Sequence, residues 1–251
     1  MTTYGQFCPV AKAMEVLDER WTLLVIREML AGSSRFSEIR RGVPKMSPAL
    51  LSKRLRTLQR AEVIRRELTG GDIRYHLTES GLQLFEVVQA LGLWGLRWVG
   101  RMGQEDLDPH LLFWDLQRTI PLASWPTGRT TLAFEFDDVE RRHARWWVVV
   151  SGTGGTSHTG KAGGRDPGVD DAPDASGGEV DICDFDPGHE VAATVVTSLR
   201  TMVVIWRGNL DWNTALAAGE LHIVGSEATR RAVPRWLGYS LIAQLAQART
   251  G

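Results

Sequence analysis

The first hundred residues carry the hydrophobic pattern of short amphipathic helices. Apolar side chains recur at three- and four-residue spacing within residues 9–18 and again within residues 21–30, which places them on one helical face. A third short helix is predicted at residues 36–43. Ser47 and Pro48 then provide the N-cap and first position of a fourth helix, which ends near residue 61 and turns three leucines inward: Leu51, Leu55 and Leu58.

A hairpin and a long apolar helix follow the fourth helix. Residues 63–77 (VIRRELTGGDIRYHL) predict two short strands around Gly70-Gly71, because paired glycines supply the positive φ angles of a tight turn. Thr78 caps a predicted helix over residues 79–101 that is apolar on nearly every side. We expect such a helix to pack against a second copy of the chain.

The period of the pattern changes to two in the second half, which predicts strands. TLAFEF places Leu132, Phe134 and Phe136 on one strand face. Further strands are predicted at residues 145–151, 179–185, 190–197 and 221–224, with helices at 198–206 and 213–218 and a last helix capped by Ser226.

This pattern predicts an α+β protein in two domains. We expect an N-terminal winged helix–turn–helix domain at residues 1–102, a helical linker at 103–128 and a C-terminal α+β domain at 129–251. Residues 152–178, with nine Gly and two Pro, are expected to form a flexible loop within the second domain.

Composition and charge sharpen this picture. The chain is 43% hydrophobic and 24% charged, which is typical of a soluble globular protein. No apolar run is long enough to span a membrane, the N-terminus does not resemble a signal peptide, and there are two cysteines, so we expect a cytoplasmic protein. The net charge of −1 conceals +6 in residues 1–101 and −7 in the remainder. A basic half is the candidate for binding a polyanion.

The basic residues concentrate around the predicted helix–turn–helix and hairpin. Ten Lys and Arg lie between residues 35 and 66, against two acids. A helix fits the major groove of duplex DNA, flanking cations neutralise phosphates, and a hairpin reaches the adjacent groove. We expect DNA contacts from the flanks, from the outward face of the fourth helix and from the hairpin: Arg35, Lys45, Ser47, Ala49, Leu50, Ser52, Lys53, Arg54, Arg56, Arg66 and Arg74. For Arg54, a phosphate or a neighbouring helix is the expected partner.

Several long stretches of residues 8–98 resemble the HxlR-type winged helix–turn–helix regulators, relatives of the MarR group. They include WTLLVIREML, RFSEIRR, SPALLSKRLRTL and YHLTESG. The resemblance implies a homodimeric transcription factor that binds double-stranded DNA, usually as a repressor. It also implies that residues 47–58 carry the recognition helix and that the first and last helices of the domain form the dimer.

Cys8 lies where some members of that family keep a redox-sensing cysteine. Lys12, one helical turn away, and the adjacent helix N-terminus both favour the thiolate. The alternative is that Cys8 only packs against the dimer partner.

Residues 129–237 resemble the sterol-carrier-protein-like fold, on the stretch from Glu179 to Gly225. The resemblance implies a domain that binds a small hydrophobic ligand. Phe134, Trp206 and Trp212 are candidate lining residues, although aromatic side chains usually belong to the core.

Catalytic and metal-binding signatures are weak. Residues 155–162 (GTSHTGKA) approach the phosphate-loop pattern, but Ala162 replaces the magnesium ligand and no helix can follow Lys161. The six His have no paired metal-ligand spacing, and the acids at 181, 184 and 186 lack the later Gly and Glu of a calcium loop. We therefore expect neither an enzyme nor a cofactor or metal.

Two interpretations remain from the sequence. The first is a dimeric DNA-binding regulator that reads an inverted-repeat operator and responds to a small hydrophobic ligand. The alternative is a lipid or hydrophobic-ligand carrier in which the winged helix serves mainly for dimerisation.

Overall fold

A computed structural model describes residues 3–152 and 178–248. The chain divides into two compact units, Met1–Asp115 and Leu116–Gly251. The boundary falls inside the predicted linker, residues 103–128. Nearly all of the predicted flexible loop, including Lys161, lies outside the described residues.

The helices predicted for the first unit are confirmed, and local sequence explains their ends. The Ser47 hydroxyl accepts the Leu50 N–H at 3.3 Å, and Pro48 occupies the first helical position. Glu38 closes the N-terminus of the preceding helix, because its carboxylate accepts the backbone N–H groups of Ser34 and Arg35, each at 2.9 Å. The four helices are α1 (Pro9–Leu17), α2 (Thr22–Leu30), α3 (Phe36–Gly42) and α4 (Pro48–Arg60).

The predicted hairpin forms the wing. Strands β1 (Ile64–Thr69) and β2 (Asp72–Leu77) pair antiparallel, with Thr69 opposite Asp72. Gly70 and Gly71 make the two-residue turn with φ angles of 59° and 88°, a region that residues with a side chain seldom adopt.

Helix α5 (Glu79–Trp98) closes the first unit and leaves an apolar face exposed. Its N-cap is the predicted Thr78, whose hydroxyl accepts the Gly81 N–H at 3.2 Å. Leu84 and Val88 pack against the core of the unit, whose central residues include Val25, Ile26, Ile39, Leu51, Leu55 and Leu58. The three inward leucines predicted on α4 are therefore confirmed.

In the described part of the second unit, five strands form one mixed sheet. The order is β5-β4-β3-β6-β7, where β3 and β6 are parallel and the other neighbours are antiparallel. The central strand β3 is buried on both faces, not on one as its alternating pattern predicts. The strands are β3 (Arg129–Phe136), β4 (Arg145–Ser151), β5 (Glu179–Cys183), β6 (Val191–Thr197) and β7 (Leu221–Gly225).

Helices accompany this sheet in the order predicted. Strand β6 leads into α7 (Leu199–Trp206), then α8 (Trp212–Ala218), strand β7 and α9 (Glu227–Leu237). Helix α6 (Pro109–Thr119) precedes the sheet, and α10 (Leu241–Ala248), which the pattern did not predict, follows it. The architecture is mixed α+β, while the sterol-carrier-like fold of the second unit stays a prediction.

Within residues 3–152 and 178–248, no helix is both long enough and apolar enough to cross a membrane.

Candidate nucleic-acid interface

One face of α4 is buried and the opposite face presents polar and basic groups. Ser47, Ala49, Lys53 and Arg56 are exposed, and Leu50 and Ser52 are half-buried at the edge of that face. The inward leucines hold the helix against the core, so its outward face is a rigid surface. The structure therefore exposes four of the predicted contact residues at the start and on the outward face of α4, whereas Leu50 packs in part against the core.

Basic side chains on this surface are available to an anionic ligand. Within the part of the chain that the structure describes, Lys53, Arg56 and Arg66 have no ion-pair partner. Arg66 is exposed on the wing strand β1, opposite Tyr75. An unpaired surface cation gives up no internal salt bridge when it binds a phosphate.

Arg54 is a correction to the predicted set of DNA contacts. Its side chain is buried, and the residue is 5% exposed. Its guanidinium binds the Glu19 carboxylate, and its Nε donates to the Arg20 carbonyl oxygen at 3.1 Å. Arg54 therefore binds the turn between α1 and α2. It stabilises the fold, because its position on α4 faces inward.

Arg35 and Arg74 meet at Glu38 and at the wing. The Arg35 guanidinium lies 3.6 Å from the Glu38 carboxylate and 3.3 Å from that of Asp72. Arg74 is half-buried, and its backbone forms an antiparallel bridge with Arg35. Both arginines therefore connect the wing to the start of α3.

The charge of Glu38 is stabilised by these neighbours. Partial burial alone raises the pKa of its carboxyl. The N–H groups of Arg35 and Ser34, together with the positive charges of Arg35 and Arg74, outweigh that effect and hold the pKa below its ordinary value. Sequence reasoning missed Glu38 as the organiser of this corner, although its position three residues after Arg35 matches a capping box.

Lys45 lies in the turn between α3 and α4 and is already engaged. Its ammonium donates to the backbone carbonyl oxygen of Glu105. An ammonium has three donors, so this bond leaves Lys45 able to bind a phosphate as well.

Cys8 occupies the N-cap position of α1 and is half-buried. The Lys12 ammonium, expected to favour its thiolate, instead bonds the Glu15 carboxylate at 2.9 Å. The redox role of Cys8 stays a prediction.

The three candidate ligand-lining residues of the second unit lie in its core. Phe134, Trp206 and Trp212 are buried, and the Trp212 Nε1–H donates to the Gly238 carbonyl oxygen at 3.3 Å. A cavity of about 280 Å³ in this unit is lined by other residues: Leu122, Ala123, Trp125, Pro126, Thr127, Val150, Gly152 and Gly178. Burial in the core is the alternative that the sequence left open for these three residues, and their assignment to a ligand pocket stays a prediction.

Among the described residues, no group of three or more His, Cys, Asp or Glu side chains converges as metal ligands would. Asp181, Asp184 and Asp186 are exposed near the end of β5.

Comparisons with known proteins agree with the geometry of the first unit. Residues 16–102 match the model of the HxlR-like helix-turn-helix family. The chain is 35% identical over 99 residues to the uncharacterized HTH-type transcriptional regulator YvaP of Bacillus subtilis, which covers 38% of this chain and 92% of YvaP. It is 34% identical over 91 residues to the HTH-type transcriptional regulator YodB of the same organism, covering 35% of this chain and 81% of YodB.

A solved structure of the reduced form of YodB is 29% identical and covers 39% of this chain and all of that chain, with a TM-score of 0.34. The matched family model and the relatives covered over most of their length, together with the helix–turn–helix and wing described above, show that this chain belongs to the HxlR-like helix-turn-helix family of transcriptional regulators.

Proposed function

We propose that the protein is a homodimeric regulator that reads an inverted-repeat operator through α4 and the wing. The observation that carries this proposal is the outward face of α4. There, Lys53 and Arg56 stand exposed and unpaired among the described residues, beside small side chains that permit close approach to base edges. Arg66 on the wing adds a cation for the adjacent backbone or minor groove.

The dimer is supported by an apolar surface that one protomer leaves in solvent. On α5, Trp94 is 59% and Trp98 65% exposed, and Phe7, before α1, is fully exposed. Leu82, Phe85, Val87 and Leu91 on α5 and Val10 on α1 are exposed as well. Monomeric proteins seldom expose so many large apolar side chains on two elements, and a two-fold axis through α1 and α5 would bury them. Two recognition helices would then face two half-sites of an inverted repeat.

The second unit would make the regulator responsive to a small hydrophobic ligand, and the expected outcome of DNA binding is repression. A ligand changes DNA affinity only through its different affinity for the two conformations of the dimer. The cavity at Trp125 is a candidate place for such a ligand in the described part of this unit. Relatives named as transcriptional regulators support a non-enzymatic role in the cytoplasm.

The alternative is a carrier of hydrophobic ligands that uses its first unit only to dimerise. That function does not require unpaired cations on the outward face of α4. Extraction and mass spectrometry of the purified protein would identify a resident lipid, and a carrier would hold one while discriminating no DNA sequence.

Salt-dependent binding to DNA fragments from upstream of the protein's own gene tests the proposal. A specific regulator binds one fragment with a Kd on the order of 10⁻⁸ M or tighter and at least about a thousandfold more tightly than random duplex. Equal affinity for every fragment, with one steep salt slope, would refute sequence-specific regulation. Loss of the specific complex on adding apolar compounds would then identify the ligand class.

A further inference from the structure

The segment after α5 lies against the helix–turn–helix and is here called the strap, residues 103–115. It begins with an ordered turn, in which the Gly103 N–H donates to the Asp106 carboxylate at 2.8 Å. Asp108 then caps α6, accepting the His110 N–H at 2.9 Å. Glu105 and Trp114 of the strap contact residues of the DNA-binding unit, and both lie beyond residue 102, where the match to the family model ends.

Trp114 meets a buried carboxylate. Glu28 on α2 is 1% exposed, and its carboxylate accepts the Trp114 Nε1–H at 3.1 Å. Arg27 donates to the same carboxylate from Nε at 3.0 Å and from a guanidinium nitrogen at 2.6 Å. A buried charge depends on every donor that it has, so the indole N–H is part of what keeps Glu28 in place.

The same indole also reaches α3, which precedes the recognition helix. The Arg41 guanidinium carbon lies 5.3 Å from the Trp114 ring centroid, within the range of a cation–π contact. At the end of α3, a Cβ on Gly42 would lie 1.8 Å from the Glu28 carboxyl group, and Arg27 donates to the Gly42 carbonyl oxygen at 3.0 Å. Glu28, Arg27 and Trp114 together therefore hold the C-terminal end of α3.

The end of α3 leads directly into the turn that starts α4. Five residues separate Gly42 from Pro48, and Lys45 in that turn bonds the strap at the Glu105 carbonyl oxygen. The strap thus holds both the helix before the turn and the turn itself. These contacts therefore set the orientation of the first turn of α4, and with it the direction of the outward face.

We propose that the strap is a positioning element of the DNA-binding surface, with Trp114 as its central positioning residue. The inference rests on the proposed DNA-binding function and adds residues beyond the family's helix–turn–helix to the surface that reads sequence. Phosphate contacts tolerate small displacements, whereas base contacts require a fixed register. A loosened strap therefore lowers specific affinity and leaves binding to random duplex unchanged.

Trp114→Phe in the full chain is the main test, because it keeps a ring beneath Arg41 and removes the hydrogen bond to Glu28. We expect affinity for the selected operator to fall about tenfold, because the loosened end of α3 and start of α4 must then be fixed in one orientation on binding. Affinity for random duplex stays within about twofold, and the salt slope is unchanged because no cation is removed. Trp114→Ala, which also removes the ring beneath Arg41, should lower operator affinity further. Trp147→Phe, in β4 of the other unit, is the matched control and leaves both affinities as they were.

Amide hydrogen exchange supplies a second readout that needs no DNA. In Trp114→Phe, amides of residues 42–51 exchange faster, whereas amides of the wing strands keep the exchange rates of the unsubstituted protein. An unchanged ratio of specific to random affinity overturns the proposal. If the unsubstituted protein prefers no fragment, the proposed function fails, and exchange alone decides the strap: unaltered exchange at 42–51 overturns its positioning role.

Discussion

The Arg54 Nε–H donates to the backbone carbonyl oxygen of Arg20 at 3.1 Å. Lys53, the residue immediately before Arg54, is exposed instead. Adjacent cations on one helix thus have opposite roles, because successive residues are about 100° apart around the helix axis. The number of basic residues on α4 therefore exceeds, by at least one, the number that its outward face offers to a ligand.

This relationship predicts different effects for two arginines two positions apart. Arg54→Ala is expected to lower the free energy of unfolding by about 1–3 kcal/mol, because the Arg20 carbonyl group and the Glu19 carboxylate lose their partner. Arg56→Ala, and likewise Lys53→Ala, should change stability by less than about 0.5 kcal/mol. Urea unfolding of the three variants measures both effects.

The same variants test the outward face of α4. Arg56→Ala and Lys53→Ala should each weaken operator binding by about 1–3 kcal/mol where the side chain contacts a base, or lower the salt slope by about one where it contacts a phosphate. Arg54→Ala should leave the salt slope of its folded fraction unaltered. Undiminished binding by both surface variants would contradict the assignment of α4 as the recognition helix.

Much of the fold could be predicted because its signals are local. Ser47 and Thr78 cap the helices they were expected to cap, and Gly70-Gly71 make the expected turn. Burial on the second face of β3 could not be predicted, since it depends on which strands lie on either side and on the helices that cover them. Helix α10 begins directly after Ser240, whose hydroxyl accepts the Ala243 N–H at 3.3 Å, so its start signal was local and was missed.

The candidate site was predictable to the extent that helical periodicity defines it. Lys53 and Arg56 lie outward because Leu51, Leu55 and Leu58 lie inward. The partners of Arg54, Lys45 and Glu28 are 34, 60 and 86 residues away in sequence, and no local pattern indicates such contacts. Aromatic residues of the second unit show the same limit, because composition alone does not separate core from pocket.

The exposed face of α5 predicts that one charge will disrupt the dimer. Trp94→Glu removes apolar area from the proposed interface and places a carboxylate there, while its exposure in the protomer leaves the fold intact. We expect sedimentation to show a monomer and operator affinity to fall steeply. Ala217→Glu, which adds the same charge to an exposed position of α8, serves as the control. A Trp94→Glu variant that sediments as a dimer would place the interface elsewhere.

The lowered pKa of Glu38 predicts a stability that depends on pH. A carboxyl group whose pKa is lowered on folding stabilises the protein above its ordinary pKa of 4.5, and this contribution is lost as the pH falls through the folded-state value. Glu38→Gln should therefore unfold at a lower temperature than the unsubstituted protein at pH 7. Its free energy of unfolding should be lower by an amount on the order of 1 kcal/mol.

Thermal unfolding between pH 7 and pH 3 measures that difference. The difference in unfolding temperature between the two proteins should narrow as the pH falls below 4.5, because the Glu38 carboxyl of the unsubstituted protein then becomes neutral as well. Glu220→Gln, at an exposed position of the second unit, provides the comparison. A difference in unfolding temperature that stays constant across this range would mean that the charge of Glu38 does not stabilise the contact between the wing and the start of α3.

Two glycines of α5 predict opposite effects of the same substitution. A Cβ on Gly81 would lie 2.2 Å from the Val63 carbonyl oxygen, a backbone atom that also accepts the Thr78 N–H at 3.0 Å. Gly81→Ala should therefore destabilise the protein by about 1–3 kcal/mol. A Cβ on Gly95 meets no described atom within 4 Å, so Gly95→Ala should be neutral or stabilising by up to about 1 kcal/mol. The midpoints of urea unfolding compare them, and equal effects would refute the close approach at Gly81.

The two cysteines are expected to differ in reactivity, and the difference tests a redox role for Cys8. Burial, with the charges of Asp181 and Asp184, raises the pKa of the Cys183 thiol, which lowers its thiolate fraction at neutral pH. Cys8 is the half-buried N-cap residue of α1. Iodoacetamide should therefore modify Cys8 faster than Cys183 at pH 7.

If Cys8 senses oxidants, peroxide treatment lowers operator affinity in the unsubstituted protein and in Cys183→Ser but leaves Cys8→Ser unaffected. Equal sensitivity of all three proteins to peroxide would mean that the Cys8 thiol has no part in the response.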